Sequence, residues 1–160
     1  MSRIIGIDPG YGRLGIAVLE HEDRRTAVLC SDCIITPAKT DFNQRLKVIG
    51  ETFDHWVTEE KPKILAVEKL FVSRNQKTAS QVAAVKGAIL YLAARHGLRI
   101  FEYSPVEIKT TITGFGHSDK KQITTMVERL VSLPERKRYD DEYDAIATAL
   151  TCLARENDLF

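Results

Sequence analysis

An α/β fold, with a mixed five-stranded sheet flanked by helices, is what this sequence predicts, and three observations predict it. Apolar runs at 3–8, 14–20 and 26–36 follow one another closely, the last two joined by Glu22-Asp23-Arg24-Arg25, which reads as an antiparallel meander. From residue 41 onward helical and strand patterns alternate, the order that lays strands parallel and covers a sheet with helices. The 160 residues are 44% hydrophobic and carry no internal repeat or low-complexity tract, so a single domain, 1–160, with ample core is expected.

Element by element, the strand at 3–8 ends on Asp8 before Pro9-Gly10, and the strands at 14–20 and 26–36 complete the meander. Residues 41–60 have helical spacing, with Leu46, Ile49, Phe53, Trp56 and Val57 on one side, and Lys61-Pro62-Lys63 stops the helix because proline cannot continue it. A strand at 64–68, a helix at 77–96 ended by Gly97, and a fifth strand at 98–103 follow. Pro105 opens a helical C-terminal half in which 118–133 and 140–156 are both expected to be helices.

Composition excludes several classes. No apolar stretch is long enough to span a membrane, and Met1-Ser2-Arg3 runs straight into a strand without a signal-like apolar region, so a cytoplasmic location is expected. A net charge of +1 rules out a histone-like polycation but leaves room for a locally basic face. Cys30 and Cys33 spell C-x-x-C within a strand, where residues three apart point to opposite faces, and the histidines have no zinc-ligand spacing. Cys30, Cys33 and Cys152 are therefore read as structural and reduced.

The chemistry is carried by acids. Asp8 closes the apolar run at 4–7, Glu68 closes the run at 64–67 in the same way, and Asp140, Asp141 and Asp144 open the last helix. Carboxylates gathered into one site repel, so convergence makes sense mainly around a divalent cation such as Mg²⁺. Each acid also has an ordinary use. Asp8 suits a turn start, Glu68 has Lys69 and Arg74 as potential partners, and the aspartates suit a helix N-terminus. Asp141 and Asp144, three apart, share a helix face, whereas Asp140 is better placed to cap. Gly10, Gly12 and Gly15 fit G-x-G-x-x-G, but the segment after Gly15 reads as strand rather than helix, which removes the dinucleotide reading. These glycines are expected to fold a tight turn beside Asp8.

Taken in order, Ile-Gly-Ile-Asp-Pro-Gly at 5–10, Val-Glu-Lys-Leu-Phe at 67–71 and Asp-Glu-Tyr-Asp-Ala-Ile-Ala at 141–147 resemble the three acidic motifs of the RuvC family of bacterial Holliday junction resolvases. Arg74-Asn75, Phe101-Glu102-Tyr103 before Lys109, and Gly114-Phe115-Gly116 before Lys120 resemble that family between the motifs, so the likeness spans nearly the whole chain. The resemblance implies an RNase H-like fold, a homodimer, endonuclease action on four-way DNA junctions by paired symmetric nicks, and the branch-migration proteins RuvA and RuvB as partners. It also implies catalytic and metal-binding roles for Asp8, Glu68, Asp141 and Asp144 around two Mg²⁺ ions, with Mn²⁺ as a substitute, and 5′-phosphate and 3′-hydroxyl products. Lys109 and Lys120 match basic positions near the family's active site, and Phe71, with Arg74 and Asn75, matches its junction-facing loop.

Some points stay open in the sequence. The doublet Asp140-Asp141 leaves the third acid ambiguous by one residue, Lys69 stands next to Glu68, and Arg136-Lys137-Arg138 suits either a phosphate backbone or a solvated loop. Ala79, Ala83, Ala84, Gly87 and Ala88 recur at helical spacing and serve either a dimer contact or packing on the chain's own sheet. Rival readings are an RNase H-like nuclease acting on RNA, a nucleotide-binding ATPase domain, and a noncatalytic DNA-binding module. The ATPase reading lacks a second phosphate loop, and the last leaves Asp8 and Glu68 without a purpose.

Overall fold

The structure is a computed structural model that describes residues 2–10, 12–70 and 76–156. Strands β1 (Ser2–Asp8), β2 (Arg13–Glu22) and β3 (Arg25–Ile35) form the antiparallel meander, followed by α1 (Phe42–Glu60), β4 (Ile64–Glu68), α2 (Gln76–Arg95) and β5 (Arg99–Tyr103). Helices α3 (Pro105–Thr113), α4 (Lys120–Leu130) and α5 (Asp140–Arg155) complete the fold. The sheet order is β3-β2-β1-β4-β5, with β1 antiparallel to β2 and parallel to β4, and β4 parallel to β5. The mixed five-stranded sheet expected from the pattern is therefore the one observed.

Alternation along the strands divides the core into two layers. Ile5, Ile7, Leu65 and Val67 face α1 and α2, where Ile49, Phe53, Val85 and Ile89 meet them. Ile4, Ile64 and Ala66 face α3, α4 and α5, where Ile108, Ile123, Ala145 and Ala149 meet them. Burial on both sides is why β1 and β4 read as continuous apolar runs rather than as alternating ones.

Helix ends follow local chemistry. Asp41 caps α1 by accepting from the Asn43 amide at 2.9 Å, and Lys61 ends it in the left-handed region at φ 50°. Ser104 and Glu107 form a reciprocal capping box on α3, and Asp119 and Gln122 do so on α4. The α4 box explains why this helix starts at Lys120 rather than at 118. Its other end stops at Leu130, short of the expected 133, because Val131 is extended and Ser132 pairs with Ala27.

Two glycines set the distance between α5 and the sheet. A Cβ on Gly6 would stand 2.2 Å from the Ala145 carbonyl oxygen, and one on Gly15 would stand 1.9 Å from that of Asp141. Neither position admits a side chain while α5 lies where it does. The expectation that Gly15 serves a tight turn is corrected here: it serves helix approach, while Gly10, whose Cβ would meet the Arg13 carbonyl at 2.0 Å, serves the turn.

Candidate active site

Residues 4, 6 and 8 of β1 share one face, and so do 64, 66 and 68 of β4. The parallel register pairs Ile4 with Ile64, Gly6 with Ala66 and Ile7 with Val67, so Asp8 and Glu68 come next, side by side on strands about 4.8 Å apart. Both point to the α5 side of the sheet, where Gly6 and Gly15 have let the helix settle. That close approach brings the start of α5, with Asp141 and Asp144, to the two strand ends. The result is a cleft of about 390 Å³ lined by Asp8, Glu68, Asp144, Lys109, Lys120 and Ser118, among others.

The charges in this cleft are strongly coupled. Burial, followed by Asp144, Glu68 and Asp141, pushes the Asp8 carboxyl up to about 8, against which Lys120 pulls down. Burial and then Asp144 push Glu68 up to about 7, partly offset by Lys109, Lys86 and Lys120. Asp144 is also raised, first by burial, although Lys120 opposes the rise from 3.5 Å away. Burial alone would lower the Lys120 ammonium, but Asp144, Asp140 and Asp141 leave it above its ordinary value, so it is charged wherever the acids are.

Several roles differ from those open in the sequence. Asp140 is not the cap. Tyr139 holds that position, Asp140 is the first helical residue, and its exposed carboxylate lies 4.0 Å from Lys120. The Tyr139 amide donates instead to the Glu142 carboxylate at 3.0 Å. Lys69 turns away from Glu68 toward Glu107, at 4.0 Å. Arg136 of the basic run donates to Glu142 at 2.5 Å and to the Ser31 carbonyl at 2.6 Å. Since Glu142 is only 1% exposed and also accepts from the Ser31 hydroxyl at 2.7 Å, the pair pins the start of α5 to β3. Phe71, Arg74 and Asn75 lie outside the described residues.

Asp141 is set apart from the other acids. Its Oδ2 is 3.5 Å from Arg13 Nε and accepts from the Cys33 thiol at 3.7 Å, and it does not line the cleft. Neither Arg13 nor Cys33 stands out in the sequence as a site residue. The available signal is strand register, which pairs Gly15 with Cys33 and so puts the thiol beneath the backbone that Gly15 admits. Cys30 packs on the α1 side of the sheet while Cys33 meets α5, the opposite facing expected of the C-x-x-C pair, and all three cysteines are free.

Whether these acids fit a metal is a matter of donor chemistry and charge. Carboxylate oxygens are the donors that hard divalent cations prefer, and three half-buried acids with raised proton affinity regain their charge readily only beside a cation. The donor set therefore fits. Among the described residues, however, no three acids are arranged to close around one ion, with Asp144 drawn to Lys120 and Asp141 to Arg13.

A mixed sheet in this order, one helix across its first strands and acids gathered from two strand ends and that helix define an endonuclease of the RNase H-like class. Residues 4–152 match the family described as Crossover junction endodeoxyribonuclease RuvC, and the chain belongs to that family. A relative from Thermosipho melanesiensis bearing that description is 42% identical over 154 residues, covering 96% of this chain and 98% of the relative. The solved structure of Thermus thermophilus RuvC in complex with Holliday junction substrate superposes with a TM-score of 0.91 at 27% identity, covering 99% of this chain and 96% of that one. The yeast mitochondrial Holliday junction resolvase Ydc2, at 12% identity and a TM-score of 0.73 over 99% of this chain and 80% of its own, shares the fold.

Proposed function

We propose that this protein resolves four-way DNA junctions by paired symmetric nicks, using Mg²⁺ held by Asp8, Glu68, Asp141 and Asp144. The observation that carries the reading is one cleft that joins the two strand-end acids, Asp144 and two lysines, in a family with a member solved on junction DNA. Two bound Mg²⁺ ions would supply Lewis acidity and an activated water, leaving 5′-phosphate and 3′-hydroxyl ends, with Mn²⁺ as a substitute. Lys109 and Lys120 hold the scissile phosphate and offset charge that builds on its oxygens. Ile108 and Ile123 line the same cleft and form its apolar wall. Phe71, with Arg74 and Asn75, is proposed to meet unpaired bases at the branch point.

Cleavage of a four-way junction, a plain duplex and an RNA·DNA hybrid, each with and without Mg²⁺ or Mn²⁺, tests this reading. Paired nicks in the junction alone, and only with metal, are expected. Preferential cutting of the hybrid would favour the RNA-processing alternative and overturn the proposal.

A homodimer through α2 is part of the same reading. Val85, Ile89 and Ala93 fill the core while Ala83, Ala84 and Gly87 are exposed, and Tyr91 on the next turn is 66% exposed. The outward stripe supports helix-to-helix contact with a second copy, whose two-fold symmetry would match that of a junction. Gly87→Arg is expected to sediment as a monomer at micromolar concentration and to nick without coupling, with its melting temperature little changed. A dimeric variant with paired nicks would count against this interface. RuvA and RuvB as partners, and a cytoplasmic site of action, are proposed on family grounds; no helix among the described residues is long and apolar enough to cross a membrane.

A further inference from the structure

We infer that Arg13 is a positioning residue that keeps Asp141 out of the metal site until junction DNA draws its guanidinium away, an inference that rests on the role proposed above for Asp141 as a metal ligand. Asp8, Glu68 and Asp144 line the cleft and Asp141 does not, although its charge is close enough to act on Asp8. Two groups hold it aside: one carboxylate oxygen is ion-paired with the Arg13 guanidinium at 3.5 Å and accepts from the Cys33 thiol at 3.7 Å. Turning this carboxylate into the cleft means giving up the Arg13 ion pair.

The two groups differ in how readily they let go. Cys33 is 6% exposed and fixed in β3. The Arg13 side chain is 48% exposed and lies over the Tyr139 ring, with its central guanidinium carbon 4.8 Å from the ring centre. Ion pairs this open to water hold weakly. A guanidinium gains more from a phosphodiester, which it grips with two charge-assisted bonds. Arg13 begins β2, just past the turn that follows Asp8, so a strand whose phosphate sits at Asp8 passes within its reach. Once Arg13 turns to that backbone, Asp141 is released toward Asp8. Metal and DNA then bind cooperatively, each raising the affinity for the other by the same factor.

The test is Mn²⁺ binding to the DNA-free protein, followed by the fall in the free-ion electron paramagnetic resonance signal. Arg13→Gln is expected to bind Mn²⁺ roughly fivefold or more tightly than wild type, and Arg13→Lys, which keeps the charge, to bind it about as wild type does. The double variant Arg13→Gln/Asp141→Asn should show no such gain. Junction affinity of Arg13→Gln should fall, and the slope of log K against log salt should be shallower by about 0.9, since one phosphate fewer is neutralised. Unchanged or weaker Mn²⁺ binding by an Arg13→Gln variant that melts as wild type would overturn the inference and show the pair to be a structural tie. Asp141→Asn separates the two levels. If it cuts junctions at the wild-type rate, Asp141 is no ligand and the underlying reading fails; if it is inactive while Arg13→Gln gains no affinity, only the latch fails.

Discussion

Asp8→Asn is expected to lower junction cleavage by at least about a thousandfold while leaving junction binding in place, because one charged metal donor goes and the basic contacts that dominate affinity remain. The same change should make the metal-free protein more stable. An unfolded Asp8 would titrate near its ordinary 3.8, whereas in the fold it is pushed up to about 8. Between those values the folded chain holds a proton that the unfolded chain has released, so stability falls as pH climbs from about 4 to about 8. Glu68, moved from 4.5 to about 7, contributes with the same sign. The variant has nothing to titrate at position 8. At pH 8 without divalent cations it should melt several degrees above wild type, since each pH unit in the window costs wild type up to about 1.4 kcal/mol. At pH 4 the two should melt together, and Mg²⁺ at pH 8 should raise wild type more than the variant. Melting curves at the two pH values with EDTA or Mg²⁺, beside a cleavage assay, check each part. Wild-type cleavage by Asp8→Asn would remove Asp8 from the site.

Gly15→Ala is expected to damage both stability and activity although it adds a single methyl group. That methyl would have to occupy a point 1.9 Å from the Asp141 carbonyl oxygen, with the carbonyl carbon 2.5 Å away. The obstacle is backbone, so no rotamer change relieves it, and α5 must lift from β2. Overpacking costs about 1–3 kcal/mol where side chains can adjust, and a backbone clash belongs at or above the top of that range. Lifting α5 also carries Asp141 and Asp144 away from Asp8 and Glu68, and misplacement by about 1 Å is enough to cost roughly a hundredfold in rate. A lower melting temperature together with cleavage abolished even at permissive temperature is the expected result. Gly12→Ala, where an added Cβ would meet nothing within 4 Å, is the control and should behave as wild type in stability. Equal behaviour of the two variants would mean that the approach of α5 does not set the site.

The elements themselves are legible in the sequence because their signals are local. The apolar runs that form β1 and β4, the 3.6-residue stripe that forms α1, and the stop at 61–63 all follow from side-chain periodicity and backbone chemistry within a few residues. The ends of α4 depart from the pattern because a capping box at Asp119 and a bridge between Ser132 and Ala27 decide them. The doublet departs for a related reason. Asp140 suits a cap by residue type, but Tyr139 takes the position once Glu142 is tied to Arg136 and Ser31, a contact that reaches 111 residues along the chain.

By itself the sequence determined the sheet, the family, and the identity of the candidate acids, since Asp8 and Glu68 each end a buried strand and can be found without knowing where those strands lie. Only the tertiary structure decided how the acids meet and what surrounds each. Parallel register placed Asp8 beside Glu68, Gly6 and Gly15 admitted α5 to within backbone contact of the sheet, and Arg13 with Cys33 drew Asp141 aside. The division has a physical cause: periodicity and capping are set by neighbours in the chain, whereas the charge state and orientation of a carboxylate are set by burial and by groups that only the folded chain brings near it.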